Sequence, residues 1–337
     1  MDTSHPPPVE WTLHWAFGEV TVQALGGMLA PLRFALPSGK TLSPLQVAPW
    51  GEGNDPALPG VLRRLRGEWP CLPYGASKAP AGLPPGWSGH AAEDSWDHGY
   101  TANHDWYLVR QKADELCIAI DYPEDSAIER LERTVRPDPQ AASIEVVLTI
   151  HARRPVQLPL ALHPTFAVPP TGLEIVTAPA ECIHTYPVPN EPGVSRLQLN
   201  AVASSLSAVP TQTGTEAFNR LPLPEATEEL MQMVSCRPPF KLRYLQEQVD
   251  VHLDWDTQAL PDALIWISNA GRSRAPWSSR HYALGIEPMS GFFDLGRVVT
   301  PGQEHPLAHN KGVHLDPAQP LRVRYRIAAF DTGPQQP

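Results

Sequence analysis

Three groups of residues in this chain are of types that move protons. The first is the run Asp94-Ser-Trp-Asp-His-Gly-Tyr-Thr-Ala-Asn-His-Asp-Trp106, which sets two His, three Asp, an Asn, a Tyr and two Trp around one Gly. Such polar groups beside flat aromatic surface suit a pocket for a small polar ligand. A sugar fits best, because its hydroxyls need directional donors and acceptors while its C–H faces stack on Trp or Tyr. The same composition also suits a surface loop, where Asp, Asn and Gly are common. The second is His163, in Leu-Ala-Leu-His-Pro-Thr-Phe, an imidazole in an apolar strand whose following Pro restricts the backbone. A core His bonded to a carbonyl is the other reading. The third is Glu287, in Tyr-Ala-Leu-Gly-Ile-Glu-Pro-Met-Ser-Gly. Glu is seldom fully buried unless paired, and burial raises its pKa toward that of a general base working near neutrality. A structural ion pair, or a strand position turned to solvent, is the alternative.

The elements that must carry these groups read as strands. Forty prolines in 337 residues cut the chain into short segments with long connections, since Pro fits neither helix interiors nor central strands. Period-two alternation marks Cys117–Asp121, Ile144–Ala152 and Leu321–Ala328, and a hairpin about Gly18 joins residues 11–17 to 19–24. Residues 127–135 read as a strand with a helical turn as alternative. Val156–Val168, Val194–Val202, Phe240–Tyr244, Val249–Trp255, Ala263–Ser268 and Tyr282–Pro288 are further expected strands. Pro224–Val234 (Pro-Glu-Ala-Thr-Glu-Glu-Leu-Met-Gln-Met-Val) is the one expected helix. Neither an internal repeat nor a composition shift marks a boundary. The expected architecture is all-β, one large antiparallel sandwich domain over residues 1–337.

Composition excludes several classes of partner. Hydrophobic residues at 42% support a substantial core, and a formal charge of −10 argues against nucleic acid and anionic membranes. The four cysteines Cys71, Cys117, Cys182 and Cys236 are scattered with no Cys-x-x-Cys spacing. The start Met-Asp-Thr-Ser-His-Pro-Pro-Pro lacks the basic and apolar regions of a signal peptide, and no run of 18 apolar residues occurs. A cytoplasmic protein with free thiols is expected. His98, His104, Asp97 and Asp105 could be metal ligands, but neighbouring side chains on an extended chain point opposite ways, so neither metal nor cofactor is expected.

In order along the chain, Leu65-Arg-Gly-Glu-Trp-Pro-Cys-Leu-Pro-Tyr-Gly75, His98-Gly-Tyr-Thr-Ala-Asn-His-Asp-Trp106, Leu162-His-Pro-Thr-Phe166 and Leu284-Gly-Ile-Glu-Pro288 resemble the aldose 1-epimerases, or mutarotases. Thr300-Pro-Gly-Gln-Glu resembles that family's closing turn. The Arg-Gly-x-x-Pro form of the first motif looks more like the hexose-6-phosphate mutarotase branch. The resemblance implies a galactose mutarotase-like β-sandwich with no obligatory metal, exchanging sugar anomers by acid–base ring opening. It implies Glu287 as base to the C1 hydroxyl, His163 as acid to the ring oxygen and His98 as a second, sugar-orienting His. Arg66 would bind hydroxyl or phosphate, with Trp106 beside the sugar and Asp254 or Asp256 as the substrate-binding Asp. Arg66, Arg272, Arg274 and Arg280 are candidates for phosphate contacts. Two function classes stand open: a mutarotase acting on an aldose or aldose phosphate, and a non-catalytic carbohydrate-binding or regulatory protein with the same fold.

Overall fold

A computed structural model describes residues 9–53 and 55–332. The Pro-rich start, residues 1–8, lies outside them. Two large sheets dominate. One has nine antiparallel strands, from Tyr107–Lys112 at one edge through the central pair Ser143–Ala152 and Leu321–Asp331 to Arg220–Leu221 at the other. The other has eight, and its main path runs Val202–Ala203, Cys182–Thr185, Thr227–Val234, Asp262–Asn269, Tyr282–Ser290, Leu160–Leu162, Pro70–Cys71; Thr165–Ala167 pairs separately with Tyr282–Ser290. A four-stranded sheet is built from Glu10–Trp15, Gly18–Gln23, Leu29–Ala35 and Thr41–Leu42, with the expected hairpin about Gly18 in place.

Alternation along each strand decides what the eight-stranded sheet shows on each face. Leu160, Leu162, Met231, Met233, Ile265, Ile267, Leu284 and Ile286 join Ile118, Leu131, Val146, Leu148, Val251, Tyr325 and Ile327 of the larger sheet in one core cluster. That cluster is the filling of the sandwich. The opposite face of the same sheet carries Cys71, Ala161, Leu230, Leu264, Trp266 and Met289, covered by the loops that bear Trp69, Tyr74, Trp277 and Phe292. With both faces covered, Asp262–Asn269 is buried throughout and Tyr282–Ser290 is buried at every position but the first. Glu287 has the parity of Met289, so the sheet turns it away from the sandwich core and toward the covering loops.

Of the expected residues 127–135, all but the first are strand, inside Ile128–Pro137. The expected helix over Pro224–Val234 is instead the strand Thr227–Val234, hydrogen-bonded between Cys182–Thr185 and Asp262–Asn269. Glu, Leu, Met and Gln favour helix when isolated, but burial on both sides overrides that preference. Its polar residues are satisfied in place: Gln232 donates to the Asp262 carboxylate at 2.8 Å and accepts from Phe293 N–H at 2.7 Å. Val194–Val202 is also corrected, because only Val202 and Ala203 pair as strand there, and Leu197 makes a single bridge to Thr211. Among the described residues no helix is long and apolar enough to cross a membrane. All four cysteines are free thiols.

Candidate active site

Antiparallel register brings His163 and Glu287 together. Ala161 pairs with Met289 and Thr165 with Gly285, so His163, between them, stands opposite Glu287 across the strand pair. Directly opposed side chains in such a pair are close enough to touch. Here His163 Nε2 lies 3.3 Å from Glu287 Oε1, both residues being buried. Gly285 keeps the space open: a Cβ there would sit 2.8 Å from Glu287 Oε1 and 3.1 Å from Trp266 Cβ.

Each member of the pair has a second tether. His163 N–H donates to the Trp69 carbonyl at 2.9 Å, and the Trp69 ring stacks on the imidazole at 4.1 Å between centroids. His163 Nδ1 is 3.2 Å from the Thr165 hydroxyl, which in turn donates to the His163 carbonyl. With Nδ1 turned to Thr165, Nε2 is the ring nitrogen that faces Glu287. On the other carboxyl oxygen, the Tyr74 hydroxyl donates to Glu287 Oε2 at 2.5 Å.

Burial pushes the Glu287 carboxyl up to about 8, against a lowering by the Tyr74 hydrogen bond. Burial, together with the nearby His98, holds His163 well below the usual imidazole range. The two shifts agree on one state near neutrality: a protonated carboxyl donating to a neutral imidazole, one proton held by the pair.

His98 reaches the pair from the opening run. Its ring stands at right angles to His163, 5.2 Å between centroids, and burial lowers it to about 4. Its backbone has φ 61, left-handed for a non-glycine residue, and its N–H donates to the Gly75 carbonyl at 2.8 Å. Such strain is kept where the surroundings fix it and is frequent at functional sites. Asn103 helps to hold the turn, donating to the Asp97 and Gly99 carbonyls, both at 2.7 Å.

A cavity of about 410 Å³ opens onto these groups. Trp69, Trp266 and Trp277 supply flat walls, and Leu62, Leu65 and Tyr74 line it from the segment that precedes Gly75. Arg272 lies over the Trp277 ring at 4.5 Å and over Trp266 at 5.5 Å. The volume is in the range of small-molecule sites, and aromatic walls with a few placed polar groups are their usual make-up.

Not every expected site residue reaches it. Arg66 is buried elsewhere, bonded to the carbonyls of Arg64 and Gly51 and 3.6 Å from the Glu52 carboxylate. Trp106 belongs to the sandwich core, its indole N–H bonded to the Thr101 carbonyl at 3.0 Å. Asp254 is exposed on the nine-stranded sheet, in a surface groove with Asp256, Arg324 and Arg326. Arg280 is exposed and absent from the cavity lining, whereas Arg272 and Arg274 line it. The four candidate metal ligands do not converge: His98 lines the cavity, whereas His104 stacks on Tyr100 at 3.8 Å. Among the described residues no group of three or more His, Cys, Asp or Glu is arranged to hold a metal. Sequence reading passed over Trp266, Trp277, Asn190 and Asp294, which come from four separate loops and strands and carry no local signal. Tyr74 lies next to last in the Leu65–Gly75 motif, but nothing in the sequence pointed its hydroxyl at Glu287.

No family model matches the chain, and no curated protein matches it by sequence. Solved structures do match over nearly its whole length. A candidate aldose 1-epimerase from Escherichia coli K12 superposes with a TM-score of 0.64 at 14% identity, covering 96% of this chain and 99% of that one. An aldose epimerase homologue from C. elegans gives 0.62 at 14%, covering 97% and 100%. A galactose mutarotase-like protein from Lactobacillus casei gives 0.61 at 13%, covering 96% and 100%. The scaffold on which His163 and Glu287 meet is thus the galactose mutarotase-like β-sandwich, the fold that the sequence motifs implied.

Proposed function

We propose that this protein is an aldose 1-epimerase acting on uncharged aldoses, with His163 and Glu287 as its proton-transfer pair. The observation that carries this is their 3.3 Å contact at the cavity wall, with both groups buried. Anomer exchange needs that arrangement. The C1 hydroxyl and the ring oxygen are bonded to the same carbon, so two adjacent groups can serve both. With the shared proton on His163, Glu287 accepts the C1 hydroxyl proton while His163 protonates the ring oxygen. The C1–O bond to the ring breaks, a free aldehyde forms, and rotation about C1–C2 before reclosure gives the other anomer. Each such proton transfer contributes roughly 10²–10⁴-fold.

The charge around the cavity favours an uncharged sugar over a phosphate ester. Arg274 binds Glu191 through both carboxylate oxygens, at 2.8 and 2.9 Å. Arg272 has Glu191 and Glu228 each at 3.7 Å. Asp97 and Asp294 line the cavity, so with Glu191 and Glu228 the carboxylates outnumber the two guanidiniums, and a phosphate would have to displace existing partners. Anomer exchange followed by NMR over a panel of free aldoses and their 6-phosphates tests both parts. At least one free aldose should exchange faster than its 6-phosphate; a uniform preference for phosphates would overturn the charge argument. Binding of sugars with no exchange would leave a carbohydrate-binding protein instead.

A further inference from the structure

Away from the proton-transfer pair, the same cavity is lined by a second set of polar groups, one of them with an unpartnered donor. Asp294 lines it from the turn after Tyr282–Ser290, and one of its oxygens accepts from the Tyr186 hydroxyl at 2.7 Å. The turn is locked from two sides. Phe293 N–H is held by Gln232, and the Asp294 carbonyl accepts from Ala76 N–H at 2.7 Å. Gly75 permits that approach, since at φ +114 its Cβ would lie 2.2 Å from the Asp294 carbonyl oxygen. Asn190 lines the same space, and its buried Nδ2 has no hydrogen-bond partner among the described residues; Arg272 lines it too, its Nε 3.7 Å from both Glu191 and Glu228. Arg272 is held by its two tryptophans rather than free to turn away. A buried donor left unpaired costs about 1–3 kcal/mol, so Asn190 Nδ2 belongs opposite a ligand.

We infer that Asp294, Asn190 and Arg272 form a hydroxyl-reading corner that selects the aldose by one or two of its ring hydroxyls remote from C1. A carboxylate acceptor in one lining with an unpartnered amide donor and a guanidinium is the complement of a vicinal diol, whose hydroxyls each give one proton and take one. Removing a hydroxyl from the sugar then leaves buried polar groups unpaired, which discriminates far more than a lost apolar contact does. This assignment rests on the aldose reading of the site, but concerns binding and not turnover.

The test is therefore binding, read by the fluorescence of Trp69, Trp266 and Trp277 in the cavity wall, with hexoses and their monodeoxy derivatives as probes. In the unmodified protein, at least one monodeoxy hexose should bind about tenfold or more weaker than its parent. In Asp294→Asn, which presents an amide N–H where the carboxylate accepts, that penalty should shrink to threefold or less while penalties at other ring positions persist. Asn190→Leu, on a partly exposed loop, should act likewise and carries the test if Asp294→Asn fails to fold. If the folded variants keep every deoxy penalty, the corner assignment is wrong while the acid–base reading stands. If no hexose binds the unmodified protein, both fall.

Discussion

A carboxyl and an imidazole 3.3 Å apart in a buried wall cannot both be protonated or both be stripped of the proton between them at little cost, and their environment resolves this by leaving them one proton. In the proposed mechanism, activity requires that proton to stay. It leaves as pH rises through the Glu287 value of about 8, so kcat/KM should fall above that pH. On the acid side it should hold through the ordinary imidazole range, since His163 resists a second proton. Tyr74 sets the position of the upper limb, because its hydrogen bond favours the ionised carboxylate. Tyr74→Phe should move the limb to higher pH with the fold intact, as the phenylalanine ring fills the same space. A pH–rate profile with an unmoved limb would show that the hydroxyl does not touch the working carboxyl.

Strand register, not loop placement, sets the spacing of the pair. His163 is fixed by pairings on either side of it, and Glu287 by the pairing of Tyr282–Ser290 with Asp262–Asn269. Gly285 is where that register is most exposed to change. Gly285→Ala should cost about 10²-fold or more in kcat by displacing Glu287, in line with the sensitivity of catalysis to ångström misplacement; near-normal turnover in folded protein would contradict the contact. The sequence made Tyr282–Pro288 legible as a strand and singled out both residues, because a lone Glu and a lone His stand out in apolar runs. Thr227–Val234 was not legible, since its burial on both sides comes from neighbours distant in sequence. Arg66 and Trp106 were drawn in with their motifs, yet both serve packing. Trp266 and Asp294 could be found only by folding the chain around the cavity.

For the molecule as a whole, a buried Glu held protonated is a link between folding and pH. The Glu287 value is raised from 4.5 to about 8 in the folded chain, so its contribution to stability is complete below about 4.5 and is lost as pH rises through about 8. Glu287→Gln cannot ionise and should remove this slope: its Tm should decline less than that of the unmodified protein between pH 5 and pH 9, as followed by circular dichroism. Parallel curves would place the carboxyl in water, against the buried geometry. The sandwich that makes this burial possible was legible in the forty prolines and the period-two strands, whereas the loops that roof the cavity were not, because their positions are set by contacts with the sheet beneath.

The most direct measurement is anomer exchange by NMR in Glu287→Gln, His163→Asn and the double variant, with circular dichroism confirming the fold of each. Both single variants should lose roughly two to four decades in kcat with sugar binding largely kept, and the double variant should be little worse than either, because groups that act as a unit are strongly non-additive. Full activity in folded Glu287→Gln protein would contradict the account.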